Sequence, residues 1–204
     1  MITEEFCENI LNIKTSGIQQ IDDKFYHYNR YEPTDYRALD LLFSNYDLLE
    51  TDSIVDFGSG KGRLMFYINY EFNSKVTGIE MNFNYIRESL ENKQNYLKKY
   101  KKKEDKITFL NILAEDYEVS KEDTKFYFFN PFSIQIFMKV IDNILDSVDD
   151  YYRKIDIVLY YPSEDYIYYL ENNTAFTLKK EVDVSKLYKH YDSREKFLIY
   201  TLSY

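Results

Sequence analysis

Short apolar runs alternate with longer helical patterns along the chain from residue 53 onward. Five runs rich in β-branched and aromatic residues predict strands, at residues 54–57, 75–80, 107–113, 125–129 and 155–160. Apolar residues that recur every three or four positions predict helices over residues 64–72, 82–101 and 136–148, and a further helix with Ser163 as its N-cap. This alternation predicts a parallel sheet with helices on both faces, a three-layer α/β sandwich.

The two ends of the chain depart from this alternation. Two predicted strands, over residues 176–182 and 195–202, close the chain without a helix between them. We expect an antiparallel pair at one edge, because parallel neighbours need a crossover connection, and therefore a seven-stranded, mostly parallel sheet with an antiparallel last strand. Helical segments over residues 4–13 and 34–46, the second with Thr34 as N-cap, precede the sheet. Residues 1–50 are thus predicted to form an N-terminal helical cap and residues 51–204 the main domain.

Composition narrows the class of protein. The 204 residues suit one domain, and 45% apolar residues suffice for a sizeable core. The single cysteine, Cys7, and two histidines offer neither an internal disulfide nor a zinc cluster, so no metal is expected. The net charge of −9 argues against duplex nucleic acid as a partner. The N-terminus is acidic and no long apolar run is present, so we expect a cytoplasmic protein without membrane association. We expect it to be a monomer or a homodimer.

A glycine-rich loop joins the first predicted strand to its helix. Residues 55–62 read Val-Asp-Phe-Gly-Ser-Gly-Lys-Gly. Glycine allows a tight turn and a close approach of a ligand to the backbone, and ligands of open α/β sheets bind at the carboxyl ends of the strands. Dinucleotide-binding loops have the spacing G-x-G-x-x-G, whereas this one has G-x-G-x-G. Asp56 would repel a pyrophosphate and suit a cation, which disfavours a nicotinamide dehydrogenase.

This loop, together with Glu80 at the end of the second predicted strand, resembles the class I S-adenosylmethionine-dependent methyltransferases over about residues 53–204. The resemblance implies a Rossmann-like fold, S-adenosyl-L-methionine as cofactor and methyl transfer as the activity. It implies that Asp56 lies near the amino group of the cofactor and that Glu80 binds both ribose hydroxyls. The further cofactor contacts that it implies are Gly58, Ser59, Gly60, Gly62, Met81 against the adenine, and Ala114 with Glu115 or Asp116 at the adenine edge.

Asn130-Pro131-Phe132 follows the fourth predicted strand. Amino-directed members of the resembled family carry Asn-Pro-Pro-Tyr or a relative here. The resemblance therefore implies that Asn130, beside the cofactor, accepts hydrogen bonds from the target amine, and that Phe132 favours the developing positive charge. The second proline is missing and phenylalanine replaces tyrosine, so an ordinary Asn-Pro turn stays an alternative for these three candidate catalytic residues.

The acceptor itself is not identified by the sequence. We expect its pocket to be roofed by the aromatic segment 25–31 and floored by residues 130–132 and Tyr160-Tyr161, with residues 183–194 emerging on the same rim. The interpretation we favour is a methyltransferase acting on a nitrogen of a small molecule or a protein side chain. The alternatives are a non-catalytic S-adenosylmethionine-binding or interaction protein and an RNA-directed methyltransferase.

Overall fold

Seven short strands form one sheet in the computed structural model, which describes residues 3–17, 31–101 and 106–202. The strands are β1 (Ser53–Phe57), β2 (Lys75–Ile79), β3 (Ile107–Leu110), β4 (Lys125–Phe128), β5 (Ile155–Tyr160), β6 (Thr177–Asp183) and β7 (Lys196–Leu202). The α-helices are α1 (Glu4–Leu11), α2 (Tyr36–Phe43), α3 (Arg63–Phe72), α4 (Phe83–Lys99), α5 (Ile134–Asp150) and α6 (Glu164–Asn173).

The strand order is β3-β2-β1-β4-β5-β7-β6. The first five strands pair in parallel, while β7 is antiparallel to β5 on one side and to β6 on the other. The predicted α/β sandwich with a mostly parallel, seven-stranded sheet and an antiparallel last strand is thus confirmed. The third strand ends at Leu110 rather than at residue 113, because the side chain of Asn111 turns away to bond the carbonyl groups of Glu80 and Met81.

Alternation along the strands creates the two cores of the sandwich. In β1, Val55 and Phe57 face a core completed by α5 and α6. Ile54 faces the opposite core, to which α2, α3 and α4 contribute apolar side chains. Asp56 lies on the same face as Ile54, where a charged side chain is exceptional. Strand alternation therefore sets the acidic side chain of β1 toward the N-terminal helices.

The first part of the chain packs into the second of these cores. Leu11, Leu39 and Leu42 are buried together with residues of the sheet. Helix α2 begins at Tyr36, and its N-cap is Asp35, whose carboxylate accepts a hydrogen bond from the Arg37 N–H at 2.8 Å. The prediction that Thr34 caps this helix is wrong.

The hydroxyl of Thr34 instead bonds the buried hydroxyl of Tyr127, at 2.9 Å. Helix α1 ends at Leu11, two residues before its predicted end, because Asn12 is left-handed with φ 57°. The division between a cap of residues 1–50 and a main domain of residues 51–204 stays a prediction. None of the helices in the described part of the chain combines the length and apolar character that crossing a membrane requires.

Candidate functional site

The glycine loop lies where β1 and β2 end and is held there by hydrogen bonds. The N–H groups of Gly58 and Ser59 donate to the carbonyl of Ile79 at 2.9 and 3.0 Å. Gly58, Gly60 and Gly62 all have positive φ, at 80°, 52° and 86°. A Cβ on Gly58 would lie 2.7 Å from Cβ of Pro131. The loop therefore needs glycine both for its conformation and for its close contact with the segment after β4.

Two carboxyl groups, those of Asp56 and Glu80, are buried beside this loop. Glu80 follows β2, and its two oxygens accept hydrogen bonds from the N–H groups of Gly60, at 3.0 Å, and Asn82, at 2.7 Å. Burial raises the pKa of Glu80 above its usual value. Burial, and then the charge of Glu80, raise the pKa of Asp56 to about 8. This edge of the sheet thus brings together two buried carboxyl groups whose ionised forms a bound cation would stabilise.

The segments after β2 and β3 meet next to Glu80. The side-chain amide of Asn111 donates to the carbonyl groups of Glu80 and Met81, both at 2.9 Å. Met81 is half-buried and Ala114 is buried, while Glu115 is half-buried and Asp116 exposed. The sequence analysis did not select Asn111, which positions the backbone of Glu80 and Met81, two predicted cofactor-binding residues.

The residues after β4 divide between the loop and the core. Asn130 is left-handed with φ 41°, and Pro131 packs on Gly58. The ring of Phe132 is 2% exposed and packs edge-on against Phe128. In this structure the Phe132 ring thus belongs to the core. The half-buried Phe129, which sequence reasoning did not select, lies at the rim with its ring centroid 4.5 Å from that of Tyr160.

Tyr31 lies over the glycine loop. A Cβ on Gly60 would overlap Cε2 of Tyr31. The Tyr31 hydroxyl donates to the carbonyl of Thr15 at 2.7 Å, and its ring lies 5.0 Å from the ring of Tyr85. Tyr31 is the one residue of the predicted roof that the structure describes, since residues 25–30 lie outside the described ranges. The contact sets an aromatic ring between the loop and the start of α4.

Arg63, the first residue of α3, ties the N-terminal segments to the glycine loop. Its side chain is 4% exposed. Nε donates to Oγ1 of Thr15 at 2.8 Å, Nη1 donates to the carbonyl of Thr34 at 3.2 Å, and Nη2 pairs with the carboxylate of Glu4. The guanidinium also lies 4.6 Å above the ring of Tyr36. One buried cation therefore joins three separate parts of the chain.

A cavity of about 570 Å³ opens on the same edge of the sheet, where β4 and β5 end. Its wall includes five aromatic residues and the carboxyl group of Glu195, and those aromatic residues are Tyr36, Phe129, Tyr160, Tyr161 and Tyr188. The predicted floor residues Tyr160 and Tyr161 line it, whereas residues 130–132 do not. Tyr161 has φ 49°, a strained conformation for a bulky residue.

The described residues contain no group of three or more His, Cys, Asp or Glu side chains placed to hold a metal ion.

No protein-family model and no curated protein sequence matches the chain. Solved structures do match. A precorrin-6y C5,15-methyltransferase from Geobacter metallireducens is 18% identical with a TM-score of 0.56, over 90% of this chain and 96% of that one. An rRNA methylase from Streptococcus thermophilus is 14% identical with a TM-score of 0.53, over 82% and 94%.

A geranyl diphosphate C-methyltransferase from Streptomyces coelicolor, in complex with Mg²⁺, geranyl diphosphate and S-adenosyl-L-homocysteine, is 11% identical with a TM-score of 0.53. This alignment covers 81% of this chain and 77% of that one. At such identities the likeness concerns the fold, while the three acceptors that the names imply differ widely. The chain therefore has the Rossmann-like fold of the class I S-adenosylmethionine-dependent methyltransferases.

Proposed function

We propose that the protein is an S-adenosylmethionine-dependent methyltransferase that methylates a nitrogen atom of a small molecule or a protein side chain. The observation that carries the proposal is the meeting, at one edge of the sheet, of the glycine loop with the buried carboxyl groups of Asp56 and Glu80. Asn130 and the cavity lie at the neighbouring strand ends. The methyltransferases with the same fold support this interpretation.

The residues present fit the cofactor. Its sulfonium and ammonium groups are cationic. A cation beside Asp56 would stabilise the ionised form of this carboxyl group, which burial and the charge of Glu80 disfavour, as its pKa of about 8 reflects. We assign the ammonium group to Asp56, the ribose hydroxyls to Glu80, and the methionine part to the loop of Gly58, Ser59, Gly60 and Gly62. Met81, Ala114 and either Glu115 or Asp116 would surround the adenine. When bound, the cofactor supplies an activated methyl group.

The acceptor side of the site orients and shields the nitrogen. We assign to the side-chain oxygen of Asn130 the hydrogen bond that directs the nitrogen lone pair, with Pro131 fixing this segment on the loop. Phe129 and Tyr160 would present aromatic faces to the positive charge that develops on nitrogen. Alignment of this kind accounts for much of the acceleration of a direct displacement.

Calorimetry with S-adenosyl-L-homocysteine and with NAD tests the cofactor assignment. We expect S-adenosyl-L-homocysteine to bind and NAD to bind poorly or not at all. Loss of a hydrogen bond to a charged group amounts to about 1.5–3 kcal/mol, so Glu80→Ala should weaken binding at least ~10-fold. Glu122→Gln is the matched control, because Glu122 is an exposed carboxylate that pairs with Lys75. Tight NAD binding, or equal affinities of Glu80→Ala and the wild type, would contradict the assignment.

Transfer from methyl-labelled cofactor into a fractionated cell extract tests the acceptor assignment. Label in protein or in small amines is the expected result, and Asn130→Ala should reduce the rate. Label in RNA would establish the RNA-directed alternative instead. If Asn130→Ala turns over at the wild-type rate, the acceptor site lies elsewhere.

A second candidate function is a non-catalytic protein that binds the same cofactor. The burial of Phe132 favours it, because the ring predicted to face the acceptor lies in the core. A protein that binds S-adenosyl-L-homocysteine but transfers label to no fraction would support this candidate.

A further inference from the structure

The cavity wall contains a continuous hydrogen-bonded chain of three titratable side chains. The hydroxyl of Tyr160 lies 2.7 Å from Oε2 of Glu195 and 2.9 Å from the hydroxyl of Tyr188. A carboxylate can only accept, so Tyr160 donates to Glu195 and accepts from Tyr188. All three residues line the cavity. These hydrogen bonds therefore connect Tyr188, through Tyr160, to a carboxylate that can take up a proton.

We propose that the acceptor enters the cavity as a protonated amine and that Glu195 receives its proton through Tyr188 and Tyr160. This inference rests on the proposed function. A protonated nitrogen has no lone pair with which to attack a methyl group, so a nitrogen bound as a cation must first lose a proton. A wall that only attracts the cation would hold the acceptor in its unreactive form. The hydrogen-bonded chain supplies the missing step.

The charges in the wall favour a cationic acceptor. Among the described residues of the wall, four carry carboxyl groups, Glu4, Glu32, Asp35 and Glu195, against the two guanidinium groups of Arg37 and Arg63. Both guanidinium groups are already paired with carboxylates, Arg37 with Asp35 at 2.5 Å and Arg63 with Glu4. A phosphate or carboxylate would therefore meet an excess of negative charge. This distinguishes the site from one built for nucleic acid.

The aromatic rings of the wall already bind cations of the protein itself. The guanidinium of Arg194 lies 4.4 Å from the ring centroid of Tyr161, and that of Arg37 lies 5.9 Å from the centroid of Tyr188. These contacts have the distances of cation–π interactions. An ammonium group that enters between the rings would be stabilised by the same effect.

The surroundings of Glu195 make it a suitable base. Burial raises the pKa of Glu195 above its usual value, which makes it a stronger proton acceptor than an exposed glutamate. The charged and titratable groups that face Glu195 are Tyr160, Asp192, Glu32 and Arg194, and those that face Tyr188 are Tyr160, Glu195, Asp35 and Arg37. The carboxylates among them favour proton uptake by Glu195, whereas the hydrogen bond from Tyr160 and the Arg194 guanidinium oppose it.

The proton and the electrons are balanced in this sequence. The ammonium gives one proton to the Tyr188 oxygen, Tyr188 passes its own proton to Tyr160, and Tyr160 passes its proton to Glu195. The freed nitrogen lone pair attacks the methyl carbon, the N–C bond forms as the C–S bond breaks, and the bonding pair stays on sulfur. The product leaves as a methylated ammonium, and Glu195 returns its proton to water.

Binding of benzylamine, benzyl alcohol and benzoate tests the charge preference without turnover. These three probes share one ring and differ in charge. With and without S-adenosyl-L-homocysteine, calorimetry should show benzylamine binding at least ~10-fold more tightly than benzoate, and Glu195→Gln should remove most of this preference. Glu122→Gln, at the opposite end of the sheet, should retain it. Benzoate binding as tightly as benzylamine, or no binding of benzylamine, overturns the proposal.

The pH dependence of kcat/KM tests the proton path with the acceptor that the labelling experiment isolates. Glu195→Gln keeps the hydrogen bond to Tyr160, so we expect folding to be retained. We expect the rising limb of the profile to move to higher pH in Glu195→Gln and Tyr188→Phe. Near pH 7 the kcat/KM of each variant should be at least ~10-fold below that of the wild type, and it should recover at alkaline pH. Unshifted profiles, or an RNA acceptor, overturn the inference and leave methyl transfer intact. Absence of cofactor binding and of turnover counts against the proposed function itself.

Discussion

Replacing Asp56 by asparagine should stabilise the ligand-free protein and weaken its binding of a cationic cofactor. The side chain is 5% exposed, and burial together with the charge of Glu80 raises its pKa from the ordinary 3.8 to about 8. Between these two values the unfolded chain holds Asp56 ionised, whereas the folded protein holds it protonated. The stability that this carboxyl contributes is therefore complete below about pH 4 and is lost as the pH rises toward 8.

The size of the effect follows from the pKa difference. Each unit of pKa corresponds to about 1.4 kcal/mol, so from about pH 5.5 to pH 8 the wild type loses up to ~3 kcal/mol that Asp56→Asn retains. For a chain of this length, that free energy corresponds to a difference in Tm of up to roughly 6–12 °C. Asparagine has nearly the same shape as aspartate and no ionisable group, so the comparison isolates the charge.

Thermal unfolding of both proteins over this pH range, without ligand, measures the effect. We expect the Tm of Asp56→Asn to exceed that of the wild type by a margin that widens as the pH rises. Glu122→Gln serves as the control, because the hydrogen bond and charge of Lys75 lower the pKa of that exposed carboxyl. A margin that does not change with pH, or an Asp56→Asn protein that is less stable near pH 8, refutes the reasoning. Binding of S-adenosyl-L-methionine should weaken ~10-fold or more in the same variant.

Three further substitutions test contributions to the stability of the fold. Asp156→Asn should cost about 3–5 kcal/mol in urea unfolding near pH 7, because the fully buried carboxylate pairs with Lys125 at 3.0 Å and Lys179 at 3.1 Å. Although burial opposes the shift, the nearby Thr201 hydroxyl and the charge of Lys125 lower its pKa to about 2. This stability therefore exists above about pH 4 and disappears as the pH falls toward 2. Arg63→Ala should speed amide hydrogen exchange in residues 3–17, and unchanged protection there would contradict its role. Gly62→Ala should destabilise the protein by about 1–3 kcal/mol, because its φ is 86° and its Cβ would lie 2.6 Å from Phe109, whereas Gly17→Ala, with φ 98° and no atom within 4 Å, should lose less.

The elements that the sequence predicted best are those with a local cause. Strand β5 has its predicted bounds because six consecutive residues are buried on both faces of the sheet and a proline follows two residues later. Ser163 caps α6 as predicted, since its hydroxyl accepts from the N–H of Tyr166. The position of Glu80 beside the glycine loop follows from parallel pairing of β1 with β2. In each case neighbours in sequence, or a regular strand register, determine the geometry.

The parts that the sequence did not predict depend on contacts between distant residues. Arg63 meets Thr34 and Glu4, which lie 29 and 59 positions away, and no local pattern marks such partners. Phe129 carried a readable signal. Alternation along β4 sets Tyr127 and Phe129 on one face and Phe128 on the other, where Phe132 joins it after the left-handed turn at Asn130. Continuing the two-residue alternation of β4 to residue 129 would have selected Phe129 as a residue of the cavity wall.

Because β7 runs in the reverse direction, the connection before it reaches the same end of the sheet as the glycine loop, although the two lie far apart in the sequence. The glycine loop and its carboxyl groups come from residues 56–80, whereas Tyr188 and Glu195 of the cavity wall come from the connection between β6 and β7. This connection joins β6 and β7, the last two strands at one margin of the sheet, so it can be lengthened or exchanged without disturbing the strand order. Recombination within residues 184–195 would then change which acceptor the cavity admits while the glycine loop and its carboxyl groups stay the same.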